Sequence, residues 1–241
     1  MRFTRLFTAL FSILTVFGAT TPTLAAMQAK DLAAALQHGG YVILLRHADT
    51  DTSRKDKEAI DLADCDTQRI LTPKGRMNAR TIGQSIDRLN IPIGEVIASP
   101  LCRTMWTAEL AFGRAEANPA LREPKPKSAE NAKKSLAALE PLLSATPKTG
   151  MNTVVVTHGF NVQAVTGFLP AEGEAVIVKP ESNGTFTVVG RLLSSHGRRL
   201  QPASGAKITR VGRPRTGPAS PIGYRIVMLL PDCVSRLPIT C

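Results

Sequence analysis

The sequence has few aromatic residues, and its positive charge is concentrated at its two ends. It contains one Trp, two Tyr and eight Phe among 241 residues. The formal net charge is +11, but residues 191–241 hold nine Lys or Arg against the single Asp232, and residues 1–26 add Arg2 and Arg5. Residues 27–190 are therefore nearly neutral. A nucleic-acid-binding domain needs a basic face with aromatic stacking platforms, so we expect no nucleic-acid partner.

Long apolar runs are also scarce, and the longest lies near the start of the sequence. Residues 6–17 are mostly apolar, follow Arg2 and Arg5, and precede small residues that end at Ala26. This order predicts that residues 1–26 are a signal peptide and that the protein is exported, either periplasmic or secreted. An uncleaved membrane anchor is the alternative. No later run is long enough to cross a bilayer, so we expect no transmembrane span in the mature chain.

The sequence has four cysteines, an even number that permits disulfides in an exported protein. Three pairings are possible. We predict that Cys65 pairs with Cys102, because both flank the candidate site described below, and that Cys233 pairs with Cys241. Free buried thiols are the alternative for the first pair.

Helix and strand patterns alternate along residues 27–190, which we predict to be one domain. We expect helices at residues 29–37, 73–89, 101–112, 129–144 and 161–168, with Pro141 kinking or splitting the fourth. Strands are expected at residues 41–46, 96–99, 151–157, 175–178 and 185–189, the last two forming a hairpin. This order predicts an α/β three-layer sandwich with a mainly parallel central sheet and helices on both faces. Residues 191–241 are predicted to be a basic, partly disordered extension.

Histidine is scarce as well, but two of the four histidines occupy equivalent positions. His47 and His158 each follow a predicted strand, Arg46 precedes His47, and Arg103 lies in a turn after a third strand. The carboxyl ends of parallel strands open on one edge of a sheet, so we expect these four residues to share one site. Two guanidinium groups repel a metal ion but bind phosphate oxygens, and a neutral imidazole is a competent nucleophile. The pattern therefore predicts a phosphate site with no metal and no cofactor.

These segments resemble the histidine phosphatase superfamily, also called the phosphoglycerate mutase-like family. The matching motifs are Leu45-Arg-His-Ala-Asp-Thr50, Leu71-Thr-Pro-Lys-Gly75, Ser99-Pro-Leu-Cys-Arg-Thr104 and Thr157-His-Gly159. The resemblance implies a phosphoglycerate mutase-like fold and a metal-independent phosphatase acting on a small phosphorylated substrate. Its reaction would be the hydrolysis of phosphomonoesters or related phosphoryl compounds. In that reaction His47 would form the phosphohistidine intermediate, His158 would be the second catalytic histidine, and Arg46 and Arg103 would bind the substrate phosphate.

The resemblance also implies a carboxylic acid that protonates the leaving group. The family commonly places this acid after the second arginine motif, where Glu123 is the candidate catalytic residue. A solvated loop glutamate is the alternative interpretation of Glu123. Asp49, two residues after His47, is a second candidate for the acid.

Other functions are compatible with the same residues. The segment Asp49-Thr-Asp51-Thr52 resembles the nucleophile motif of haloacid dehalogenase-like phosphatases, although their first aspartate directly ends the strand. A phosphate-ligand-binding module without turnover is a second alternative. A third is phosphoglycerate mutase-like phosphotransfer, against which the predicted export argues. For the basic tail, residues 191–241, we expect at most a weak attraction to anionic surfaces.

Overall fold

The computed structural model describes residues 29–125 and 127–192. The predicted signal peptide, the Cys233–Cys241 pair and the extension beyond residue 192 lie outside the described residues. Within them, five α-helices are present: α1 Ala29–Gln37, α2 Pro73–Arg88, α3 Cys102–Phe112, α4 Ala129–Ser144 and α5 Gly159–Thr166. The strands are β1 Val42–Arg46, β2 Ile93–Ala98, β3 Glu116–Ala117, β4 Asn152–Thr157, β5 Ala175–Pro180 and β6 Phe186–Leu192. None of the described helices is long and apolar enough to cross a bilayer.

The strands form one sheet in the order β3-β2-β4-β1-β5-β6. The pairs β3-β2, β2-β4 and β4-β1 are parallel, whereas β5 pairs antiparallel with β1 and with β6. The predicted α/β fold with a mainly parallel sheet is confirmed. In the central pair, Arg46 of β1 lies opposite Thr157 of β4. This register places the next residues of the two strands, His47 and His158, side by side.

The apolar strands bury side chains on both faces of the sheet, which explains their continuous hydrophobic runs. On one face, Ile43 and Leu45 pack in a cluster with Leu32 and Leu36 of α1. On the other face, Val42 and Leu44 pack in a cluster that includes Leu139 and Leu143 of α4 and Val162 of α5. The sheet is thus covered by helices on both sides, and its core holds the strand ends in place.

Some boundaries differ from the prediction. Pro141 does not split α4, since it stands in the last turn, where its missing N–H removes a single helical hydrogen bond. Helix α5 begins at Gly159, two residues earlier than predicted, so that His158 is its N-cap residue. Strand β6 extends to Leu192, two residues beyond the expected end of the domain, and the Nε of Arg191 donates to the buried Glu174 carboxylate at 2.6 Å.

Candidate active site

His47 lies at the end of the central strand β1, and its side chain is almost fully buried, with 2% exposed. Its Nδ1 is 2.9 Å from the carbonyl oxygen of Ala48. A carbonyl can only accept a hydrogen bond, so Nδ1 is the protonated nitrogen and Nε2 keeps a free lone pair. The N–H of Ala48 donates to Thr107 Oγ1 of α3 at 3.0 Å. Helix α3 therefore holds the peptide that orients the His47 ring.

His158 lies beside His47, as the strand register requires. The two ring centroids are 5.6 Å apart, with an angle of 63° between the ring planes. The Nε2 of His158 is 2.8 Å from the Oγ of Ser99, the residue that follows β2. If the Ser99 hydroxyl donates to Nε2, then Nδ1 of His158 carries the proton and can donate to a ligand.

Both imidazoles are neutral at pH 7. Burial lowers the pKa of His47 well below its usual value near 6.5. The hydrogen bond to Ala48 opposes this shift, whereas the positive charges of Arg103, Arg46 and Arg69 add to it. Burial likewise lowers the pKa of His158, and Arg103 adds to the effect. A neutral imidazole is the form that can act as a nucleophile.

Each of the two predicted arginines has a protein partner for part of its guanidinium. Arg46 donates through Nη1 to the carbonyl of Pro170 at 2.7 Å, and its Nη2 is 3.5 Å from Glu172 Oε1. Arg103, in the first turn of α3, is 1% exposed and donates through Nη1 to Asp56 Oδ1 at 3.0 Å. These contacts leave the Nε of each guanidinium without a protein acceptor.

Buried donors without partners are concentrated at this site. In the described part of the chain, four buried side-chain polar atoms make no hydrogen bond: Arg46 Nε, Arg103 Nε, His158 Nδ1 and Asn78 Oδ1. Three of the four thus belong to the residues that the sequence predicts to hold a phosphate. A buried donor without an acceptor destabilises the fold, so this cluster is suited to a ligand with several anionic oxygens.

Two acidic residues of the site were missed in the sequence. Glu172 accepts hydrogen bonds from the N–H and the Oγ1 of Thr50 at 3.2 and 2.6 Å, and its Oε1 is 3.9 Å from His47 Nδ1. Asp56 binds Arg103 and also lies 3.2 Å from Lys125 Nζ. Burial raises the pKa of Asp56, but the Arg69 N–H and the charges of Arg103 and Lys125 outweigh it and lower the pKa overall. Glu172 lies in a loop without a motif, so no local pattern indicated its place in the fold.

The two candidate acids have different surroundings. The Oε1 of Glu123 is 3.4 Å from the N–H of Phe160 in the first turn of α5, and Glu123 lines a cavity of about 410 Å³ together with Arg103 and Asp56. Asp49 instead accepts a hydrogen bond from Asn78 and lies 3.7 Å from Lys74 Nζ, both on α2. Glu123 therefore lies beside the arginine pair, whereas the Asp49 side chain is bound to α2.

The motif that opens α2 has a steric explanation. Thr72 caps the helix by accepting from the N–H of Gly75, and its own N–H donates to the carbonyl of Asp49 at 3.1 Å. A Cβ on Gly75 would lie 2.0 Å from that carbonyl oxygen. Only glycine allows this close approach of α2 to the loop after His47.

The predicted pairing of Cys65 with Cys102 is confirmed. Their Cα atoms are 5.8 Å apart, and the disulfide links positions 37 residues apart in sequence. Cys102 begins α3 and immediately precedes Arg103. The disulfide thus attaches the segment between β1 and α2, which carries Asp56, to the helix that carries Arg103.

The described residues contain no group of three His, Cys, Asp or Glu side chains placed to hold a metal ion. The groups that converge on the site are instead cationic or neutral donors, with Glu172 and Asp56 bound to the arginines. This donor set favours an anion over a cation as the ligand.

Comparison with known proteins gives a family match and several similar structures. The model of the histidine phosphatase superfamily (branch 1) matches residues 42–135. The protein histidine phosphatase SixA, solved with tungstate, is 18% identical, with 63% of this chain and 96% of that chain covered and a TM-score of 0.47. YhfR of Bacillus stearothermophilus is 18% identical, with 61% of this chain and 94% of that chain covered and a TM-score of 0.48. A phosphoserine phosphatase of Entamoeba histolytica, in complex with 3-phosphoglyceric acid, is 18% identical, with 65% of this chain and 98% of that chain covered and a TM-score of 0.47. No protein of curated function matches this sequence.

Proposed function

Because the chain belongs to the histidine phosphatase superfamily, we propose that it is a metal-independent phosphatase acting on phosphomonoesters or related phosphoryl compounds through His47. The observation that carries the proposal is the pair of buried, neutral imidazoles at the ends of β1 and β4, with Arg46 and Arg103 around them. Neutral rings among guanidinium groups suit nucleophilic attack on an anionic phosphoryl group.

Substrate binding relies on the donors that have no acceptor in the protein. The Nε groups of Arg46 and Arg103 and the Nδ1–H of His158 donate to the phosphoryl oxygens. Arg103 lies in the first turn of α3, and His158 caps α5, so two helix N-termini add their partial positive charge. These groups neutralise the phosphoryl charge that would otherwise repel a nucleophile.

In the first step, the lone pair of His47 Nε2 attacks phosphorus. The P–N bond forms as the P–O bond to the leaving group breaks, and the Nδ1–H donated to Ala48 stabilises the positive charge that develops on the ring. Glu123 in its acid form donates a proton to the leaving oxygen. His158 stabilises the phosphoryl group during transfer through its Nδ1–H.

In the second step, water attacks the phosphohistidine. The Glu123 carboxylate takes a proton from the water as its oxygen bonds to phosphorus. The P–N bond breaks, Nε2 of His47 regains its lone pair, and inorganic phosphate leaves. Glu123 and Arg103 both line one cavity, which supports a place for the leaving group on the Arg103 side of the site.

The proposal is tested by assaying inorganic phosphate release from a panel of phosphorylated metabolites. We expect release by the wild type with or without chelator, and none by His47→Ala. Stimulation by magnesium would favour the aspartate-based alternative, which the contacts of Asp49 with α2 do not support. Phosphate binding without release from any substrate would favour a binding module, and phosphoryl transfer between two phosphoglycerate positions would favour a mutase.

We also propose that the protein is exported and works in the periplasm or outside the cell. The Cys65–Cys102 disulfide supports this location, because structural disulfides persist in oxidising compartments. Fractionation of cells that express the full chain tests the proposal. We expect activity in the periplasm or medium with a mass that lacks residues 1–26, and activity confined to the cytoplasm would contradict it.

A further inference from the structure

A third arginine, Arg69, lies close to the same site. Its main chain binds the same Asp56 carboxylate oxygen that binds Arg103. Its positive charge also lowers the pKa of His47, His158, Arg46 and Arg103. It stands two residues before Leu71, in the segment that approaches α2, where no phosphate motif of the sequence indicated it.

The main chain on both sides of Arg69 is anchored to the site. The N–H of Arg69 donates to Asp56 Oδ1 at 2.8 Å, and the same oxygen accepts from Arg103 Nη1. On one side, the fully buried Gln68 accepts from the N–H of Cys102 at 2.8 Å. On the other side, the carbonyl of Ile70 accepts from the N–H of Asp51 at 3.0 Å. These contacts hold Arg69 between the loop after β1 and the start of α3.

Arg69 differs from the other two arginines in its charge balance. A carboxylate oxygen lies 3.5 Å from Arg46 and 3.0 Å from Arg103. Among the ion pairs of residues 29–125 and 127–192, none joins Arg69 to a carboxylate within 4.0 Å. The positive charge of Arg69 is therefore available to a ligand at the site.

We propose that Arg69 binds the substrate directly, as a third guanidinium that donates to the oxygens of the phosphoryl group. This inference rests on the phosphate site of the proposed function but not on turnover. Arg46 and Arg103 are each balanced by a carboxylate, so Arg69 supplies the uncompensated charge that a phosphomonoester dianion needs. Arg69 thereby favours dianionic monoesters over monoanionic diesters.

Binding of inorganic phosphate to the purified full chain, measured by isothermal titration calorimetry, tests this role without any catalytic step. We expect Arg69→Gln to weaken phosphate binding about tenfold or more, and Arg69→Lys to weaken it less, because lysine keeps the charge but loses the forked donor. Arg80→Gln, a change to an exposed arginine of α2, is the matched control and should bind phosphate like the wild type.

The pH dependence of kcat/KM separates direct participation from a structural role. His47 is faced by Arg46 from β1, Arg103 from α3, His158 from the end of β4, and Glu172 from the loop before β5. Removing the nearby charge in Arg69→Gln should raise the pKa of His47 and move the acid limb to higher pH, whereas Arg69→Lys should leave that limb in place.

Phosphate affinity within twofold of the wild type in Arg69→Gln would overturn the proposal, even if the variant were less stable. An acid limb that does not move in Arg69→Gln would also overturn it. If Arg69→Gln does not fold, the Arg69→Lys variant decides, and unchanged phosphate affinity there would count against the role. If Arg69→Gln loses phosphate binding and His47→Ala is still active, the proposed function is refuted but the role of Arg69 is not.

Discussion

Removing the Cys65–Cys102 disulfide tests how the site is held together. The disulfide links positions separated by 37 residues. The loop-closure entropy for a loop of this size corresponds to about 3.8 kcal/mol at 25 °C. Domains of this kind are stable by only about 5–15 kcal/mol, so the double variant Cys65→Ser/Cys102→Ser should lose a large part of its free energy of unfolding.

The disulfide should also affect function, because it attaches the segment with Asp56 and Arg69 to the start of α3. Opening of that segment removes Asp56 from Arg103 and Arg69 from the site. We therefore expect kcat/KM of the double variant to fall even where its helix content stays close to that of the wild type. Weaker phosphate binding should be the main cause.

Urea denaturation provides the assay, with fluorescence of the single tryptophan, Trp106, as the probe. Trp106 lies on α3, and the Arg76 guanidinium stacks 4.1 Å from its ring centroid, so its emission reports on the packing of α3 against α2. Reductant should destabilise the wild type by about the same amount as the double substitution. If reductant still lowers the free energy of unfolding of the double variant, that remaining effect is due to Cys233 and Cys241. A loss of less than about 1 kcal/mol in the double variant would show that the disulfide does not stabilise the fold in this way.

Three further predictions concern the pH dependence of stability, Glu172 and Gly75. Both buried histidines have a lowered pKa in the fold, so the unfolded chain binds more protons than the folded chain in acid. Stability is therefore fully present above pH 6.5 and is lost as the pH falls, by up to about 1.4 kcal/mol per pH unit for each histidine. Urea denaturation between pH 7 and pH 5 checks this, and equal stability across the range would contradict it. Glu172→Gln removes the charge beside Arg46 and should lower kcat/KM about tenfold, whereas Glu130→Gln on the exposed start of α4 should not. Unchanged kinetics in Glu172→Gln would show that Arg46 does not need this partner. Gly75→Ala places a Cβ against the Asp49 carbonyl and should destabilise the protein by about 2 kcal/mol, whereas Met77→Ala on the exposed side of α2 should cost much less. Thermal unfolding compares the two variants, and equal losses would argue against this steric role of Gly75.

The strands and the two histidines could be predicted because their signals are local. The apolar runs of β1 and β4 bury side chains on both faces of the sheet, and each run is followed directly by its histidine. Parallel pairing then places the two rings at one edge. The register of Arg46 with Thr157, which sets the rings side by side, depends on packing across the sheet and was not predictable from the sequence.

The supporting residues could not be predicted because they lie in loops whose paths depend on distant contacts. Glu172 is placed by the N–H of Gly173, which donates to the carbonyl of His47 at 2.9 Å. Asp56 and Arg69 are placed by their mutual hydrogen bond and by the disulfide. Neither periodicity nor a motif marks such residues. The two-residue strand β3 was missed for a similar reason, since a segment this short has no alternating pattern.

Trapping the intermediate shows whether His47 carries the phosphoryl group. Wild type mixed with a substrate identified by the panel is quenched within the first turnover into alkaline denaturant, which preserves phosphohistidine, and is analysed by peptide mass spectrometry. We expect one phosphoryl group on the peptide that contains His47, and none in the His47→Ala variant. A phosphoryl group on another residue, or steady turnover by His47→Ala, would contradict it.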